Sequence, residues 1–205
     1  MEAGRAARVH RVTRETEVEV TLRLDGAGAC AAQTGVPFLD HMLAAFARTA
    51  LCDLQASCRG DLEIEPHHSV EDVGIVLGRA VAQAVGDGAG LCRYGSALVP
   101  MDDALAQVAL DLSGRAYLHW GVDLPQRVLG TFATDLAEEF WLAATRTAAW
   151  TLHVDLLRAR NAHHGLEAVW KAVGLALRTA AAPDPRLRGP LSTKGSLGPA
   201  GGDPA

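Results

Sequence analysis

The chain has no apolar run near the roughly 18 residues that a membrane span needs, so no membrane segment is expected. It has no Lys/Arg run and no nucleic-acid-binding signature, and its formal net charge is -5, so nucleic acid is not an expected partner. Its four cysteines, Cys30, Cys52, Cys58 and Cys92, show no Cys-x-x-Cys spacing. That argues against zinc ligands or a disulfide framework and for free buried thiols in a reducing cytoplasm. The start, Met1-Glu2-Ala3-Gly4-Arg5, lacks the hydrophobic stretch of a signal peptide. Apolar residues are plentiful: 49% of 205, much of it Ala and Leu. That is enough for a substantial core in one large domain or two small fused ones.

The eight histidines are unevenly placed. His67-His68-Ser69-Val70-Glu71 recurs as His163-His164-Gly165-Leu166-Glu167. Residues four apart share a helix face, so His67 pairs with Glu71 and His163 with Glu167. His68 and His164 are turned about a third of a turn away and face another neighbour. One helix can therefore give a His and a Glu to one metal and a lone His to another, and two such helices would build two related sites. Imidazole with carboxylate suits Zn, Mn, Fe or Ni better than Ca or Mg. A His pair at a helix entry can also be a cap or a satisfied core group. Capping needs no Glu at a fixed offset, so the repeat favours metal.

In chain order, alternation over 16–24 predicts a half-buried strand, and Asp25-Gly26-Ala27-Gly28 a turn. A helix is expected from Phe38 to about Ala50, carrying His41. Residues 52–58 and 61–65 read as two short strands joined at Arg59-Gly60. The first His-His helix should start near Pro66, or alternatively at Ser69, and run to about Val85. Gly86-Asp87-Gly88-Ala89-Gly90 follows a helix rather than a strand, so it reads as a connector and not a nucleotide loop. Strands at 95–100, 105–112 and 115–122, a helix from Thr134 to about Ala149, a strand at 150–157 and a helix over 162–182 capped by Asn161 repeat the order of the first half. This predicts an α+β fold. An α/β unit is internally duplicated into two pseudosymmetric halves, 1–90 and 91–190, each a mainly antiparallel sheet with helices packed on one face. A tail follows over 191–205, with 198–205 expected to be disordered. Matching the halves sets His41 as a further ligand of one site, and Glu138 or Glu139 as its counterpart at the other.

Longer matches carry a resemblance. Arg14-Glu15-Thr16, Pro37-Phe38-Leu39-Asp40-His41-Met42-Leu43, Gly60-Asp61, His67-His68-Ser69-Val70-Glu71-Asp72, Arg93-Tyr94-Gly95, Asp111-Leu112-Ser113-Gly114-Arg115, Asn161-Ala162-His163-His164 with Glu167, and Ser192-Thr193-Lys194-Gly195 occur in order. Together they resemble the imidazoleglycerol-phosphate dehydratase family of histidine biosynthesis. The resemblance implies a dimanganese site, with zinc or iron as substitutes, and a homo-oligomer: an octahedral cage of twenty-four subunits with sites shared across interfaces. It implies metal ligation by His41, His67, His68, Glu71, His163, His164 and Glu167, with Glu139 where the family has a histidine. Asp103 likewise stands where the family has Glu. Arg93, Arg115, Lys194, Ser192 and Thr193 match phosphate-binding places. Glu15 becomes a substrate-contacting proton-transfer residue, joined in the catalytic set by Glu71 and Glu167. The implied substrate is a small imidazole phosphate bearing a diol. Its dehydration removes a hydrogen with no adjacent carbonyl, so metal coordination of the ring would help it carry charge. Two alternatives stand beside this reading: a divergent paralogue acting on another imidazole phosphate, and a non-catalytic metal-bound assembly protein. The second has no use for Glu15, the arginines or the Ser-Thr-Lys tail.

Overall fold

In a computed structural model, residues 4–125 and 127–197 are described. The expectation of disorder over 198–205 falls outside them. The element order is β1 (Ala6–Val12), β2 (Thr16–Arg23), β3 (Cys30–Gln33), α1 (Pro37–Ala50), β4 (Asp53–Gly60) and α2 (His67–Val85). It continues with β5 (Tyr94–Met101), β6 (Ala104–Asp111), β7 (Tyr117–Gly121), the short pair β8 (Val128–Leu129) and β9 (Phe132–Ala133), α3 (Leu136–Ala148), β10 (Thr151–Arg158) and α4 (Ala162–Ala180). The two large sheets have the same order, β1-β2-β4-β3 and β5-β6-β10-β7. Pairing is antiparallel except between β3 and β4 and between β7 and β10. Those two parallel pairs are the ones bridged by a helix crossover, α1 and α3, because parallel strands need a long return.

β2 alternates as predicted, with Val18, Val20 and Leu22 fully buried against the helices. β4 runs unbroken to Gly60, and no strand forms at 61–65; the chain turns there, with the Ile64 N–H donating to Asp61 O at 2.9 Å. Gly60 pairs with Thr16, the first residue of β2, so the strand has no partner beyond it. β1 and β3 escape the sequence pattern because they bury little: Val9 alone is buried in β1, and nothing is in β3. Cys30 and Cys92 are only half-buried, against the expectation for all four thiols. α2 starts at His67 and not Ser69, with its first bond from the Val70 N–H to Pro66 O. Asn161 caps α4 as predicted, accepting from the His163 N–H at 2.8 Å.

The halves interlock through their helices: α4 packs on α1, and α3 on α2. Each crossing uses a glycine. A Cβ on Gly174 would meet Phe46 O at 2.6 Å, and one on Gly78 would strike Ala144 O and the Thr147 hydroxyl. Helices α1 and α3 both end on a left-handed residue, Leu51 and Ala149. These landmarks place Phe46 opposite Ala144 and His41 opposite Glu139, which selects Glu139 over Glu138 as the counterpart. The core between the sheets holds Trp141, Trp150, Trp170, Phe46 and Phe140, all buried. No helix among the described residues is long and apolar enough to cross a membrane.

Candidate functional site

The α1–α4 crossing brings His41 to the face of α4 that carries His163 and Glu167. Both imidazoles aim Nε2 at one carboxylate oxygen of Glu167, His41 at 3.3 Å and His163 at 3.2 Å. One donor atom from each lies within 4.8 Å of the others. Glu167 is buried, and its other oxygen accepts from Lys171 at 2.7 Å. Burial pushes the Glu167 carboxyl up, but Lys171 and His41 outweigh it and hold the group below its ordinary range. Two imidazoles and an ionised carboxylate that converge on one point are a donor set that fits manganese, zinc or iron.

His164 turns away from this group, as its offset predicts. Its Nδ1 donates to Asp103 at 2.6 Å. In the other half, His68 Nδ1 donates to Asp61 at 2.9 Å. The carboxylates raise both imidazoles above their usual range, Asp61 for His68 and Asp103 for His164. Among the described residues, His67, Glu71 and Glu139 do not close up as His41, His163 and Glu167 do. That group would bring two carboxylates, Glu71 and Glu139, to one place, where like charges repel. Glu138 is largely exposed on α3, and what partial burial it has, then Glu139 and Asp135, pushes its carboxyl up.

Glu15 is exposed at the tip of the β1–β2 hairpin. That hairpin is tied to α2 by buried Asp72, which accepts from Arg11 and from the Thr16 hydroxyl. Glu15 is thereby held near the helix carrying His67, His68 and Glu71, and its charge reaches His68.

Arg93, Arg115, Ser192, Thr193 and Lys194 line a single cleft of 760 Å³, with Tyr94 and Arg188. Arg93 takes a left-handed backbone (φ 68°) and is clamped by Asp111 at 2.7 and 3.0 Å and by Leu191 O at 2.6 Å. The tail forms its own turn, with the Gly195 N–H donating to Ser192 O at 3.1 Å. This cleft lies at the far end of α4 from the histidines, since the Arg93 N–H bonds to Ala180 O. Sequence reasoning missed Lys171, Asp61 and the grip of Asp103 on His164. Lys171 was findable as a cation four residues beyond Glu167 on one helix face. Asp103 is 61 residues from His164 and had no local signal, and Asp61, seven residues ahead of His68, is joined to it across a turn rather than along one helix face.

A sequence model of the imidazoleglycerol-phosphate dehydratase family matches residues 34–177. Imidazoleglycerol-phosphate dehydratase from Moorella thermoacetica is 51% identical over 95% of this chain and 99% of its own, and that from Nitrosococcus oceani is 54% identical over 93% and 98%. The crystal structure of the Staphylococcus aureus enzyme superposes with a TM-score of 0.79 at 36% identity, covering 87% of this chain and 99% of that one. The Pyrococcus furiosus enzyme gives the same score and identity over 92% and 100%.

Proposed function

The chain belongs to the imidazoleglycerol-phosphate dehydratase family, a family of dehydrating lyases, and from that premise we propose that it converts imidazole-glycerol phosphate to imidazole-acetol phosphate and water at a dimanganese site built between subunits. The observation that carries the metal part is the convergence of His41, His163 and Glu167 within 4.8 Å. These three would hold one ion, and His67, Glu71 and Glu139 its pseudosymmetric partner. His68 and His164 would reach ions from the adjoining faces. A bound divalent ion would polarise the substrate ring and let it carry charge. Glu15, exposed and held at its hairpin tip, takes the proton from the carbon whose hydroxyl becomes the ketone. The neighbouring hydroxyl leaves with a proton as water, and the enol left behind isomerises to the ketone when a proton returns to the ring-side carbon. Arg93, Arg115 and Lys194 neutralise the phosphate, with Ser192 and Thr193 donating to it.

Distance supports a shared site. From His163 to the Ala180 end of α4 is about 25 Å at 1.5 Å per residue. The substrate, built from bonds of about 1.5 Å, reaches on the order of 10 Å. On this reading the phosphate sits in the cleft of one copy and the ring meets the histidines of another. The test is turnover by purified, manganese-loaded protein, read by mass spectrometry as loss of one water with appearance of a ketone. No turnover by a metal-loaded oligomer would sink the reading. Glu139 in place of the family histidine favours, in that event, the paralogue acting on another imidazole phosphate.

A further inference from the structure

The two hairpins that flank the histidine helices are equivalent in register. β1 and β2 close from Val12↔Glu17, and β5 and β6 from Met101↔Ala104. Arg14–Glu15 and Asp102–Asp103 are therefore the same tip in the two halves. The tips do different things. Asp103 is fully engaged: one oxygen accepts from His164 Nδ1 at 2.6 Å, and the other accepts from the Arg160 and Asn161 N–H groups at 2.6 and 2.9 Å. The Glu15 carboxylate makes no hydrogen bond among the described residues. His68 instead leans on Asp61, whose side chain is only 13% exposed and whose second oxygen is buried without a partner.

We infer that Asp103 and Asp61 are positioning residues that fix the tautomer of His164 and His68, setting Nε2 as the free nitrogen of each ring. The inference rests on the metal-centre reading above only for what Nε2 then meets. An ionised carboxylate can only accept, so each Nδ1 must carry the proton. Neutral imidazole has one N–H, so Nε2 keeps its lone pair. The nearest carboxylate to His164 Nε2 is Asp102 at 3.7 Å, too far for a hydrogen bond to compete. Asp103 also fixes the ring in space, because its second oxygen is bonded to the chain just ahead of α4. Because Asp61 performs this task in the first half, the tip residue Glu15 is left with an unengaged carboxylate.

The test reads ring-nitrogen signals by solid-state NMR on metal-free protein labelled with heavy-nitrogen histidine, at about pH 9, where imidazole is neutral. In the parent, His68 and His164 should show a protonated Nδ1 and a bare Nε2. Asp103→Asn inverts the bond at His164 alone. Its amide oxygen still accepts from Arg160 and Asn161, so its NH₂ faces Nδ1, which must then accept, and the proton moves to Nε2. Manganese titration of the same variant should show one class of ion bound about 10- to 100-fold more weakly. A parent protein with Nε2–H at both rings overturns the inference, with no variant needed. So does an Asp103→Asn protein with unchanged ring signals and unchanged manganese affinity. A parent that has the expected tautomers but takes up no manganese overturns the metal-centre reading and leaves the tautomer assignment standing.

Discussion

Gly174→Ala tests whether the helix crossing sets the geometry of the histidine cluster. The added Cβ would sit 2.6 Å from Phe46 O and 3.1 Å from Ala50 N, on the backbone of α1. Backbone atoms cannot rotate away, so α1 and α4 must separate by about 0.5 Å, enough to lose a quarter to a half of the dispersion energy at that contact. Overpacking of this kind costs about 1–3 kcal/mol. Replacing a mid-helix glycine by alanine returns about 1 kcal/mol. The expected net is a loss of about 1 kcal/mol, or about 2–4 °C in melting temperature for a chain of this size. α1 carries His41, and α4 carries His163 and Glu167. An ion wants these donors at about 2.0–2.2 Å, so a half-ångström drift should weaken manganese binding about tenfold, as losses in ligand support do. Melting is followed by circular dichroism on metal-free protein, and affinity by titration with manganese. A variant at least as stable as the parent, with the same affinity, would mean that this contact neither limits packing nor aligns the cluster.

His67→Ala or His163→Ala should abolish turnover and leave the helices folded, because α2 and α4 are held by their buried apolar faces; unfolding of metal-free variants under conditions where the metal-free parent stays folded would assign these residues to structure. Glu139→His should raise kcat with little change in KM, since the added gain lies at the reacting end; a flat or lower kcat would show that 139 is no ligand or serves other chemistry. Chelation should loosen the assembly if ions bridge subunits, and light scattering that finds the same mass with and without chelator would refute this. Asp53 is held at about 2 by the Ala27 N–H, by Arg23 and by the Ala29 N–H. Its folded pKa is depressed, so its contribution is present above the ordinary carboxylate pKa and is lost as pH falls toward 2. Asp53→Asn should therefore flatten the acid limb of stability in that window, and an unchanged limb would remove Asp53 from the account.

Reading elements from the sequence worked where one face is buried and the other wet. β2 alternates, and the long helices α2 and α4 announce themselves through apolar spacing and, at Asn161, through a cap. It failed at β1 and β3, which are sheet edges burying almost nothing, and at 61–65, where the apolar Leu62 and Ile64 sit in an exposed turn. The candidate site was legible where geometry is local. A four-residue spacing pairs His163 with Glu167 on one helix. Internal symmetry supplied the reach from α4 to His41, which no local pattern contains. Neither could reveal Asp61 beneath His68 or Asp103 beneath His164, because those bonds depend on how a hairpin tip and a strand exit fold back over the helix starts.

The same symmetry shows where the halves have parted. At the α1–α4 cluster, His41 and His163 both bond to the Glu167 carboxylate, whose other oxygen accepts from Lys171. The equivalent place in the first half puts Ile75 where Lys171 stands, and Glu139 where His41 stands. That exchange replaces a neutral donor by an anion and removes the cation that would have balanced it. The first arrangement sets a cation beside its carboxylate; the second would bring Glu71 and Glu139 together with no such cation at the matching place on α2, and like charges repel. Of the two places proposed to hold an ion, the α2–α3 one therefore carries the larger negative charge.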